Sequence, residues 1–153
     1  MTVPPSRLAG DAGQVGGIEV LPFGFLVFIS VTLLLANAWA VIDSKLATTS
    51  ASREAVRTFV EAADEATATE QAIRRADETL RAFGRGGDRS RIEHPVAPDG
   101  FVRCARVNIT VSYAVPALTI PFLDGFGRTV TIRSTATERI DPFRDDVPGI
   151  AAC

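Results

Sequence analysis

The stretch Val20-Leu-Pro-Phe-Gly-Phe-Leu-Val-Phe-Ile-Ser-Val-Thr-Leu-Leu-Leu-Ala-Asn-Ala-Trp-Ala-Val-Ile42 contains no Asp, Glu, Lys, Arg or His. As a helix at ~1.5 Å per residue it reaches ~35 Å, enough to span a hydrocarbon core of ~30 Å with some tilt. Pro22 falls in the first turn, where a missing N–H costs least. Trp39 falls near the far end, a position that suits an indole at the membrane interface. Two other readings compete. One is a buried core helix. The other is a cleaved signal peptide, for which Ala36-Asn-Ala38 and Ala38-Trp-Ala40 offer small-x-small sites. Against cleavage, Arg7 is the sole basic residue before the run, Glu19 directly precedes it, and the run exceeds a normal signal core. Charge does not decide orientation, because Lys45, Arg53 and Arg57 follow the run.

Within the run, Thr32, Ala36 and Ala40 recur every fourth residue and share one helix face. Small residues at that spacing allow close helix–helix approach in a bilayer, and the Asn37 amide adds a hydrogen-bonding group. Glu19 sits at the N-terminal edge. A carboxylate is costly inside lipid, so it stays at the headgroups or meets a cation.

Outside the run the polarity is ordinary. All the basic residues but Arg7 and all the acidic residues but Asp11 and Glu19 lie beyond it, and they nearly balance. That excludes a concentrated basic surface, and no nucleic-acid partner is expected. Residues 1–17 read as a flexible arm rich in Pro and Gly. Residues 18–42 read as the transmembrane helix, 43–140 as an extracytoplasmic domain, and 141–153 as a loose tail.

Helical spacing continues past the run to about Ala66, with Val56, Phe59, Val60 and Ala63 on one face. A second amphipathic helix is expected from Thr69 to Phe83, with Ile73, Ala76, Leu80 and Phe83 inward and Gly84 as its stop. Residues 85–100 read as a polar loop. The period then changes to two: Val107, Ile109, Val111, Tyr113 and Val115 alternate with polar residues, as do Val130, Ile132 and Ala136. Asp124-Gly125 is a turn signal in an apolar connection. The expected fold is α+β: a long N-terminal helix, a second helix, and a C-terminal antiparallel hairpin or small sheet.

Candidate chemistry is sparse. His94 precedes a proline in the polar loop and reads as exposed. No Cys-x-x-Cys, His-x-x-x-His, Gly-x-Ser-x-Gly or P-loop pattern occurs. The acidic pairs Asp64/Glu65, Asp77/Glu78 and Asp145/Asp146 read as solvated, and Asn108-Ile-Thr110 as an incidental sequon. The chain is therefore expected not to be an enzyme, with no cofactor, metal or small-molecule substrate. An extracytoplasmic location permits a disulfide between Cys104 and Cys153, the two cysteines; the other reading is a buried Cys104 and an incidental Cys153.

The segments Gly17-Ile-Glu-Val-Leu-Pro22, Ala38-Trp-Ala-Val-Ile-Asp-Ser-Lys45 and Arg53-Glu-Ala-Val-Arg57 resemble actinobacterial TadE-like proteins, pilin-like components of tight-adherence (Flp, type IVc) pilus systems. The hairpin with Pro116 and Gly127, ending in Thr137-Glu138 and Asp141-Pro-Phe-Arg144, is similar to that family too. The resemblance implies an inside N-terminus, an outside domain anchored in the cytoplasmic membrane, and a role as minor pilin or assembly factor. Its partners would be the lipid bilayer and other pilus subunits, or itself, through the membrane helix. Glu19 matches the family's acidic position, where the carboxylate aligns or recruits neighbouring subunits. The family's cleavage glycine is replaced: counting back from Glu19 places Gln14 where that glycine belongs. The alternative is a membrane-tethered envelope binding module outside any pilus.

Overall fold

The computed structural model describes residues 20–120, 123–150 and 153, and for 117–120 and 123–128 the backbone alone. The chain divides into two units, Met1–Ala36 and Asn37–Cys153. Helix α1 (Val20–Glu61) enters both. The second unit adds α2 (Glu65–Ala82), β1 (Ser90–Ile92), β2 (Arg106–Ile120) and β3 (Leu123–Arg139). The three strands form an antiparallel sheet in the order β1-β2-β3. This is the expected α+β layout.

Period-two patterning sets the sheet. Val107, Ile109, Val111, Tyr113 and Val115 are all buried, as alternation on a half-covered sheet requires. Val107, Ile109 and Val111 join a core with Ala47, Ala51, Ala55, Val56 and Phe59 of α1 and Ala68, Ala72, Ala76 and Leu80 of α2. Phe59 meets Phe101 edge to face at 5.7 Å, a favoured aromatic geometry.

Several expectations change. α1 stops at Glu61 rather than Ala66, and α2 begins at Glu65 rather than Thr69. No Gly or Pro marks the break; Asp64 does. Its carboxylate accepts from the Thr67 N–H at 3.0 Å and the Thr67 hydroxyl at 2.8 Å, which satisfies one of the orphan donors of a helix start. The first-helix face also shifts: Ala62 is buried and Ala63 exposed. On α2 the buried row is Ala68, Ala72, Ala76 and Leu80, while Ile73 is half-buried and Phe83 exposed.

Gly84 does end α2. Its φ is +67°, a left-handed conformation that glycine adopts without a Cβ clash. The Gly84 N–H donates to Arg81 O and the Arg85 N–H to Leu80 O, both at 2.8 Å. This closes the last turn in the glycine-terminated manner common at helix ends.

The 85–100 loop contains β1, paired through Ser90↔Tyr113 and Ile92↔Val111. Val96 forms a further bridge with Asn108. The hairpin is longer than expected: the β2–β3 register runs to Ile120↔Leu123. Asp124-Gly125 therefore lies within β3 instead of forming the turn. The described residues of 141–153 form no helix or strand, yet they are tied down. Val147 is buried, Arg103 donates through Nε to Val147 O and through its backbone N–H to Pro148 O, each at 2.8 Å, and Cys153 is bonded to Cys104.

Candidate functional site

The N-terminal half of α1 exposes its apolar residues on every side. Val20 through Thr32 are all exposed, and Phe23, Phe28, Leu34 and Trp39 each keep about two-thirds or more of their surface open. Covering each large side chain would be worth ~1.5–3 kcal/mol, so this surface strongly favours an apolar environment. By length and composition α1 is able to cross a membrane. Its hydroxyls suit that medium. Ser30 donates to Leu26 O at 2.8 Å and Thr32 to Phe28 O at 2.9 Å, so neither leaves an unsatisfied donor.

The small-residue row is as open as its neighbours at Thr32 and Ala36, and partly covered at Ala40, beside the half-buried Asn37. With the Thr32 hydroxyl turned back onto its own helix, Thr32, Ala36 and Ala40 present mainly methyl groups. Such a row permits close approach of another helix. Glu19 lies outside the described residues.

The environment of α1 changes after Ile42. Asp43 is bound by Arg85, whose Nη2 and Nε donate to Oδ2 at 2.7 and 3.2 Å. The Arg85 guanidinium also lies 5.5 Å from the Tyr113 ring centroid, within cation–π range. Burial alone would lower the pKa of Arg85. Its bonds to Asp43, and after them Tyr113, outweigh burial and hold it above the ordinary arginine value.

One turn on, α1 buries hydroxyls rather than large apolar groups. Ser44, Thr48 and Ser52 are fully or almost fully buried. Ser134 of β3 meets this row: its Oγ lies 3.0 Å from Thr48 Oγ1 and 3.1 Å from Thr49 Oγ1. Lys45, the one lysine of the chain, donates through Nζ to Ser134 Oγ at 3.0 Å and to Arg133 O at 2.7 Å. Sequence reading missed this node because the groups stand nearly 90 residues apart. The signal that was present is a Ser/Thr row on the buried face of an otherwise apolar helix.

Cys104 and Cys153 form a disulfide with Cα atoms 5.4 Å apart, inside the normal range. Cys104 adopts a left-handed backbone, φ +67°, unusual for a residue with a Cβ. The tail is further held by Arg144, which donates through Nη1 to Val60 O at 2.7 Å and forms a two-pronged ion pair with Asp146. His94 is exposed. Of the acidic pairs, Asp64 caps α2, Asp77 pairs with Arg81 at 2.8 Å, and Asp146 pairs with Arg144. Asn108 and Thr110 lie within β2 and bond to Thr137 and Thr135 across the ladder.

Comparison with known proteins finds no matching family model, no matching curated protein and no matching solved structure.

Proposed function

We propose that the chain is a single-pass membrane protein whose apolar part of α1 lies in the cytoplasmic membrane and whose folded domain stands outside it. We further propose that it serves as a pilin-like minor subunit or assembly factor of a tight-adherence pilus, like the TadE-like proteins it resembles. The observation that carries the anchor is the all-round exposure of apolar side chains on α1. A helix apolar on all sides is stable only when surrounded by protein or lipid. The Cys104–Cys153 disulfide supports the outside placement, because such bonds persist in oxidising compartments. The pilus assignment rests on the sequence resemblance. In this reading the chain is not an enzyme and needs no cofactor; its partners are lipid and other subunits, met through the Thr32–Ala36–Ala40 row and Glu19.

The test of the pilus role is co-purification with pilus components, beside blue-native electrophoresis, for the parent chain and for Glu19→Ala. A subunit contact through Glu19 predicts normal membrane insertion and abundance of the variant with loss of the larger complex. Full assembly of the variant would remove Glu19 from the account. Absence of pilus components from the parent's complexes would favour the second reading, an envelope binding module. The open groove between α1 and β3 favours that reading.

A further inference from the structure

The sheet has one long unpaired edge. In the order β1-β2-β3, β3 has a neighbour on one side alone. Antiparallel pairing alternates, so every second residue of β3 turns its N–H and C=O away from β2. The direction is fixed at two places. Ile140 exchanges backbone bonds with the Cys104–Ala105 segment, which points the even-numbered residues inward. Arg133 O receives Lys45 Nζ, which points the odd-numbered ones outward. Lys45 thus blunts the edge at Arg133, a common protection of exposed strands. Beyond it, among the described residues, no hydrogen bond reaches the outward N–H and C=O of Thr135 or Thr137.

This bare edge forms one wall of a groove of about 610 Å³, and α1 forms the other. Lys45, Thr49, Arg53 and Arg57 line the helix side, and Ser134 and Glu138 the strand side. A helix beside an open strand edge is an arrangement that accepts an extended peptide as an added strand. The charges say which kind. Arg57 is paired with Glu61 at 3.0 Å, and Glu54 with Arg75 at 3.3 Å. Among the described residues, neither Lys45 nor Arg53 has a carboxylate within ion-pair distance, and Glu138 has no cation within it, so the unpaired groups of the groove are two cations and one carboxylate, a net positive charge. A second copy docking edge to edge would bring another Lys45 and Arg53 to the seam with only its Glu138 to offset them.

We propose that the groove between α1 and β3 takes an extended acidic segment of another polypeptide, added to the sheet as a fourth strand at Thr135 and Thr137. The spacing narrows the motif. Lys45 and Arg53 are about 12 Å apart along the helix axis, and residues i and i+4 of a strand are about 13 Å apart on one face. The segment therefore carries Asp or Glu at i and i+4. This inference does not depend on the pilus reading or on the membrane anchor.

The test uses the full chain in lipid nanodiscs and a fluorescent nine-residue peptide of alternating threonine and valine with glutamate at its third and seventh positions. A second peptide has lysine at both. Binding is read by anisotropy. The glutamate peptide is expected to bind at least tenfold tighter than the lysine peptide. Thr135→Pro removes an outward N–H and leaves the backbone bonds between β2 and β3 in place, a placement that edge strands tolerate; it should keep the parent circular dichroism and weaken binding at least tenfold, whereas Thr135→Val, which loses only the hydroxyl that meets Thr110, should bind like the parent. Arg53→Glu should reverse the peptide preference. Equal binding of the two peptides, undiminished binding to Thr135→Pro, or no saturable binding at millimolar peptide would overturn the proposal. So would a parent dimer that becomes a monomer on Thr135→Pro, because the occupant would then be a second copy.

Discussion

Asp43, the first residue after the apolar run, is clasped by Arg85, the third residue past the end of α2, at 2.7 Å. The clasp depends on the local chain path at the end of α2. Gly84 in its left-handed conformation turns the chain, and the next residue delivers the guanidinium to Asp43 and to the Tyr113 ring. A sequence signal for helix termination thereby positions a tertiary ion pair on α1.

Because the pair is only partly shielded, its contribution is modest. Asp43→Ala should cost about 1 kcal/mol. Arg85→Ala should cost more, since it also removes the stacking on Tyr113. Gly84→Ala should cost about 1 kcal/mol through left-handed strain and a displaced Arg85. Urea unfolding of the detergent-solubilised chain gives these values, and a double-mutant cycle on Asp43 and Arg85 isolates their coupling. Simple additivity of the two truncations would show that the clasp stabilises nothing.

Opening the disulfide should matter more. The bond closes a separation of 49 residues, for which the chain-entropy model gives about 4 kcal/mol. Cys153→Ser should approach that loss and make stability indifferent to reductant. Limited proteolysis should then cut the released tail first, while Arg144 still holds its own segment to Val60.

Acid should weaken the domain through two exposed carboxylates. The Thr67 backbone N–H, and then its hydroxyl, hold Asp64 below the ordinary value of 3.8. The Arg144 guanidinium does the same for Asp146. A folded pKa below the unfolded one favours the folded state at higher pH, and the advantage is lost as pH falls through the folded value. The melting temperature should therefore hold from neutral pH down to the ordinary carboxylate range and drop below it. Asp64→Asn should keep the cap and flatten part of that drop, because asparagine accepts the same bond without titrating.

The alanine row of α2 should resist enlargement. Ala72 is fully buried, and Ala72→Leu should destabilise by about 1–3 kcal/mol through overpacking. Circular dichroism melts measure this. An unchanged melting temperature would mean that the core has room beside Ala72.

What sequence reading found and missed follows from the physics of each signal. Alternation in Val107–Val115 and the long charge-free run are periodic and strong, so β2 and the apolar half of α1 were legible. The buried face of α2 was misjudged, because Ile73 and Phe83 outweigh Ala68 and Ala72 in any hydrophobic count. Alanine marks a face by being small enough for close packing, which only the packed structure displays. β1 is three residues long and owes its strand form to β2. The Asp64 cap needed its Thr67 partner to be recognised as a helix start. The Lys45–Ser134 node and the α1–β3 groove join distant parts of the chain, and local patterning carries no information about such pairs.

The small-residue row gives a separate expectation. If Thr32, Ala36 and Ala40 pack against another helix, Ala36→Leu should lower in-membrane association by blocking close approach. A transmembrane association reporter measures it, and an unchanged signal would reduce the row to composition.

Anchoring of an exported domain by α1 is open to a direct test. The direct measurement is alkaline phosphatase fused after Cys153, with the cells fractionated and the membranes washed at alkaline pH. The account predicts an active reporter that stays in the washed membrane pellet. An inactive reporter, or an active one released into the soluble fraction, would contradict it.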